Sequence, residues 1–209
     1  MTHTPVAPEL GGIEIEGMTR SAFILRGALA TGVVYGMGAV APYVENAFAS
    51  VTTGDLKVFE FALTLEYVEA AFYQAALTGK KLSAEVEAVA TEFGEHEQEH
   101  VDTITKAIKQ LGAKAPAAPK VNFQIPDEKA FLKLAVALEE TGVAAYSGAA
   151  PAIFSRDLLE AAGSIVQVEA RHAAALRLLD DQDPAPAAFD KPITPPEALA
   201  RVQQFVAQQ

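Results

Sequence analysis

From residue 51 onward, apolar positions recur at alternating steps of three and four, the spacing that places one face of an α-helix against a core. In Asp55–Leu77 the series reads Leu56, Phe59, Leu63, Glu66, Ala70, Tyr73 and Leu77. Gly79-Lys80-Lys81 closes this element in a turn. Ser83 is suited to cap a second helix, along which Val86, Val89, Phe93, Glu97, His100, Ile104 and Leu111 fall in line up to Gly112. Residues 112–126 carry Pro116, Pro119 and Pro126 and show no helical period. Asp127 then caps a third helix with Leu132, Ala135, Glu139, Gly142, Tyr146 and Ala149 on its face. Pro151 and Ser155 mark a short connection, and the fourth helix aligns Leu158, Ala162, Ile165, Glu169, His172, Leu176 and Leu179. No segment is read as alternating with period two, so no strand is expected.

The links run short, long, short. Tight links make neighbouring helices antiparallel, while the long middle one can cross the length of a bundle. The predicted architecture is therefore all-α: two antiparallel hairpins joined by a crossover over residues 50–182. A Pro-rich tail follows at residues 183–209, with a short helix at Glu197–Val206 packed on the outside.

Residues 1–49 follow other rules. Arg20 and Arg26 lead into an uncharged run, Gly27–Val44, that ends near Ala47-Phe48-Ala49. A basic start, apolar middle and small-x-small end describe an export signal. Thr19–Leu25 resembles a twin-arginine motif with Ser21 in place of the second arginine. The alternative is an uncleaved anchor or assembly helix, associated with a membrane through residues 20–44. Either reading places the chain outside the cytoplasm or at a membrane. His3 falls in this leader.

Composition narrows the chemistry. The 209-residue chain has no cysteine, which excludes disulfides, thiolate metal sites and thiol nucleophiles. With 27 acids against 16 bases and a net charge of −11, it makes a poor nucleic-acid partner, because that affinity rests on basic surfaces. Any chemistry falls to carboxylates and four histidines.

Glu66, Glu97, Glu139 and Glu169 all occupy stripe positions where the period calls for an apolar residue. His100 and His172 each follow a glutamate by three, which puts both side chains on one helix face. One Glu from each of two helices and Glu-x-x-His from each of the other two is the ligand pattern of a di-metal carboxylate site in a four-helix bundle. Four buried carboxylates cannot all ionise unaided, but two divalent cations cancel their charge. Oxygen-rich ligands favour iron or manganese. The pattern also repeats. Glu66 and Glu139 are 73 residues apart, as are Tyr73 and Tyr146, while Glu97/Glu169 and His100/His172 are each 72 apart. The chain reads as a duplicated helix hairpin, each half contributing the ligands of one metal.

These residues carry a resemblance. Phe61–Tyr73 (FALTLEYVEAAFY), Glu95–His100 (EHEQEH), Leu138–Gly148 (LEETGVAAYSG) and Val168–His172 (VEARH) resemble the ferritin-like superfamily. The similarity is greatest to exported bacterial ferritin-like-domain proteins, the group that includes plant desiccation-related proteins. It covers roughly Thr52–Leu179. It implies a ferritin-like four-helix bundle with a di-iron or di-manganese centre held by Glu66, Glu97, His100, Glu139, Glu169 and His172, and with Tyr73 and Tyr146 just outside the ligands.

Further candidates are weaker. Glu69, one turn from Glu66, is a possible additional ligand or proton carrier, although its partner in the other half is Gly142. His96, one turn before His100, reads as a capping or surface histidine, with ligation the alternative, and Glu95, Glu99 and Glu140 as a solvated face. The expected function is oxidoreductase chemistry on oxygen or peroxide in oxidative or desiccation stress. The alternative is a non-catalytic structural or protective protein whose metal ions only stabilise the bundle. The expected partners are metal ions, oxygen or peroxide, and other copies of the chain, without nucleic acid.

Overall fold

The computed structural model describes residues 53–79 and 81–207. The leader 1–49, its membrane reading through residues 20–44, His3 and Lys80 lie outside the described residues. Among the described residues no helix is long and apolar enough to cross a membrane.

Among the described residues five helices follow in order: α1 (Thr53–Gly79), α2 (Ala84–Gln110), α3 (Glu128–Ala149), α4 (Arg156–Leu179) and α5 (Pro195–Gln203). A single 3-10 turn, Ala150–Ala152, separates α3 from α4. The starts are fixed by side-chain caps that take up otherwise orphaned N–H groups. Ser83 accepts from the Val86 N–H at 3.5 Å, Asp127 from Ala130 at 2.8 Å and Ser155 from Leu158 at 3.3 Å. At Thr194 the Glu197 carboxylate accepts from both the backbone N–H (2.7 Å) and the hydroxyl (2.8 Å), which starts α5 two residues before the expected Glu197.

α1 packs chiefly on α2 and α3 chiefly on α4, the two hairpins that the link lengths predict. Their interior divides into two apolar clusters. Phe72, Phe93, Phe131, Leu132 and Leu176 belong to one. Phe59, Leu63, Ile104, Leu158 and Ile165 belong to the other. Tyr73 is assigned to the first and Tyr146 to the second.

Two features go beyond the expected pattern. The crossover does contain a period-two stretch: Val121, Phe123 and Ile125 are half-buried while Asn122 and Gln124 are exposed. The three apolar side chains lie on the first cluster. The backbone here pairs with the chain's end through an isolated antiparallel bridge, Val121 with Val206. Asn122 N–H donates to the Phe205 carbonyl and Ala207 N–H to that of Lys120, each at 2.8 Å. The Pro-rich tail is likewise bound down. Ala198 and Val202 of α5 are buried in the first cluster, and Ile193 N–H donates to the Ala144 carbonyl at 3.1 Å. This strap crosses α3 at Gly148, where a Cβ would come within 1.8 Å of the Ile193 carbonyl oxygen. Only glycine permits that approach.

Candidate metal centre

The series that places Phe59 and Leu63 in the core carries Glu66 and Tyr73 inward as well. The same holds for Phe93, Glu97 and Ile104 on α2, for Ala135, Glu139 and Tyr146 on α3, and for Ile165, Glu169 and His172 on α4. Glu66, Glu97, Glu139 and Glu169 have no exposed surface and His172 almost none. The His100 side chain, 13% exposed, is the least enclosed of the six.

Two overlapping groups of ligand atoms result, each with its atoms within 4.8 Å of one another: Glu66, Glu97, His100 and Glu169, and Glu97, Glu139, Glu169 and His172. His100 Nδ1 lies 3.1 Å from Glu66 Oε2, 3.2 Å from Glu97 Oε2 and 3.4 Å from Glu169 Oε1. His172 Nδ1 lies 3.0 Å from Glu97 Oε1 and 3.2 Å from Glu139 Oε2. Glu97 thus offers one oxygen to each histidine. The halves are not self-contained, as the duplication suggested: each group borrows a carboxylate from the other hairpin, Glu169 for the first and Glu97 for the second.

The tyrosines cross over too. The Tyr73 hydroxyl donates to Glu139 Oε1, and the Tyr146 hydroxyl donates to Glu66 Oε1. Each terminal glutamate therefore turns one oxygen to a tyrosine of the opposite half and the other to a histidine. Burial first, and the adjacent carboxylate second, push both phenols well above their usual range.

Without a cation the charges conflict. Burial raises Glu66 to about 7 despite His100 beside it. Burial and Glu97 hold Glu169 well above the carboxylate range. Burial also acts upward on Glu97, but His100 and His172 outweigh it and leave its carboxyl low. Both histidines are driven down by burial and up, more strongly, by carboxylates. His100 rises well above its ordinary value and His172 reaches about 10. Both oxygens of Glu169 and Oε1 of Glu97 are buried without a hydrogen bond. Buried polar atoms left in that state are costly, and a bound cation would supply what they lack. The carboxylate and imidazole donor set suits a divalent metal ion.

Two residues stand closer to the cluster than the stripe predicted. Glu69 is buried, and Ala70, given the inward position by the apolar series, is only half-buried. A step of three from Glu66 points inward as well as a step of four. Glu69 belongs to neither ligand group. Burial and the carboxylates of Glu169, Glu97, Glu139 and Glu66 raise its pKa well above normal. Gly142 faces it, and a Cβ there would lie 3.1 Å from Glu69 Oε1 and 2.7 Å from Glu169 Oε2. His96, expected at a cap or the surface, is buried with Nδ1 3.0 Å from His172 Nε2. Of the expected solvated acids, Glu95 is exposed and Glu99 half-buried. Glu140 accepts from Arg177 Nε at 2.6 Å.

Comparison with known proteins agrees with this picture. The model of the ferritin-like domain matches residues 54–182, and the chain belongs to that family. No curated protein sequence matches it. Among solved structures it is similar to a conserved hypothetical protein from Mycobacterium tuberculosis, at 18% identity and a TM-score of 0.56. That match covers 66% of this chain and 97% of the other, and it speaks for the fold alone.

Proposed function

We propose that this ferritin-like protein holds two divalent ions, iron or manganese, and uses them in oxidoreductase chemistry on oxygen or peroxide. The observation that carries the two-ion reading is the placement of Glu97, with Oε2 3.2 Å from His100 Nδ1 and Oε1 3.0 Å from His172 Nδ1. Glu97 would help to hold both ions, with Glu66 and His100 serving one of them, Glu139 and His172 the other, and Glu169 shared. When bound, the ions would supply a redox-active centre for a small oxidant.

The protein's own groups set the conditions. Tyr73 and Tyr146 hold one oxygen each of Glu139 and Glu66, so that Oε2, the oxygen beside the histidine, is the one each glutamate would turn to an ion. The two apolar clusters lower the local dielectric, which strengthens attraction between ion and carboxylate. Reactants would enter from the side of His100, the partly exposed member of the set. The absence of cysteine leaves no thiol as an internal electron source. Disproportionation, in which one peroxide is reduced to water while a second is oxidised to oxygen, needs no such source. The export-like leader motivates placing this activity outside the cytoplasm, against extracellular oxidants or drying.

The near-complete enclosure of the ligands favours a second reading, in which the ions only neutralise and close the core of a protective structural protein. Metal analysis beside a Glu97→Ala/His172→Ala variant tests the site. Two ions per chain are expected in the wild type and a large loss in the variant; equal content in both refutes the assignment. Assays of peroxide and of oxygen consumption on fully loaded protein separate the readings, since no turnover of either leaves only the structural one.

A further inference from the structure

His172 Nδ1 faces the oxygens of Glu97 and Glu139. A neutral imidazole that coordinates through Nδ1 keeps its proton on Nε2, and what Nε2 donates to decides how firmly the ring is held. Here Nε2 lies 3.0 Å from Nδ1 of His96. The two rings are nearly parallel, 6° apart with centroids at 5.3 Å. Phe93 stacks on His172 at 4.0 Å and 24°, and on His96 at 6.3 Å and 22°. Phe93 restrains the plane of His172, and His96 its rotation within that plane. At the duplicated position, 72 residues on, stands Val168, which has no hydrogen-bonding side chain.

We propose that His96 is a positioning residue for one of the two ion positions: its Nδ1 accepts the Nε2 proton of His172 and so presents His172 Nδ1 to the ion, an arrangement without a counterpart from Val168 at His100. The inference rests on the metal reading above. It predicts that two positions built from like ligands bind unequally when His96 is changed, because a partner of this kind is worth about 10–100-fold in metal affinity.

Calorimetric titration of the metal-free chain with manganese(II), and with ferrous iron under anaerobic conditions, tests it. H96F keeps an aromatic ring in the stack but removes the acceptor, whereas H96N places a side-chain oxygen where Nδ1 stands. H96F is expected to bind one ion as the wild type does and the other at least about tenfold more weakly, with H96N within about threefold of wild type. The tenfold loss should vanish on a His172→Ala background and persist on His100→Ala. H96F weakening both positions alike, or neither, overturns the proposal, as does H96N behaving like H96F. If H96F does not fold, H96L gives the same readings. A wild type that binds neither ion overturns the metal reading and this inference with it; a wild type that binds two, with H96F unchanged, overturns this inference alone.

Discussion

The hairpin of α1 and α2 and the hairpin of α3 and α4 carry the same four functional positions in the same order: Glu66, Tyr73, Glu97 and His100 against Glu139, Tyr146, Glu169 and His172. One turn away the match stops. Glu69 faces Gly142, and His96 corresponds to Val168. A fifth buried carboxyl fits because the opposite half leaves out a side chain; a Cβ at 142 would already come 2.7 Å from Glu169 and 3.1 Å from Glu69. Duplication therefore supplies a symmetric charge set, and the next turn of helix makes its two halves unequal. Each half is also incomplete, since Glu97 and Glu169 serve both ligand groups.

The largest test of that sharing removes a shared carboxylate. Glu97→Ala is expected to empty both ion positions, whereas Glu66→Ala and Glu139→Ala each empty one; metal content by mass spectrometry decides it. If Glu97→Ala loses a single ion, the halves are independent after all. In the metal-free chain, Glu97→Ala should also cost about 3–5 kcal/mol, because it leaves buried charged partners uncompensated.

Acidity gives the next contrast. Without metal, burial raises Glu66 to about 7, and the carboxylates of Glu139 and Glu97 overcome burial to raise His172 to about 10, against ordinary values of 4.5 and 6.5. Both bind protons more tightly when folded. The stability they contribute is full below pH 4.5 and pH 6.5 respectively, and it is lost as pH rises through about 7 and then about 10. The apo melting temperature should therefore fall from pH 5 to pH 9. Metal affinity should rise over the same range, because binding displaces those protons. An apo protein that grows more stable toward pH 9 contradicts the proton-for-metal exchange.

The tyrosines test the symmetry where it holds. Tyr73→Phe and Tyr146→Phe each remove one hydroxyl donor to a buried glutamate. Each should cost about 1.5–3 kcal/mol in denaturant unfolding, and by nearly the same amount. A wide difference would mean that the two apolar clusters do not support the cluster equally. The smallest effect has the opposite sign. Glu69→Gln removes a buried carboxyl that sits among four others, so the apo chain should gain about 1 kcal/mol. Destabilisation would show that Glu69 holds the apo bundle together.

Much of this was legible from the chain. Ser83 and Asp127 cap their helices where the sequence places those starts, while Ser155, legible only as part of a short connection, caps α4 as well. Glutamates on an apolar stripe stand out because burial of a charge needs a reason. Glu69 was less legible because a step of three or four both point inward, and Ala70 satisfied the apolar rule. His96 lies beside the Glu97–His100 face, but its partner is 76 residues away on α4, and no local pattern reports that. The Val121–Ile125 alternation was present in the sequence; its proline-bearing surroundings and its shortness concealed it.

The sequence by itself determined the helices, their pairing into two hairpins, and that Glu66, Glu97, His100, Glu139, Glu169 and His172 share the inward stripes, because those follow from a local period and from link lengths. Only the tertiary structure decided which carboxylate serves which histidine, that the tyrosines reach across to the opposite half, that Gly142 makes room for Glu69 and Gly148 for the tail, and that His96 holds His172. Those are distances between atoms on different helices. They are set by how the helices pack, and a period along one helix carries no information about the position of its neighbour.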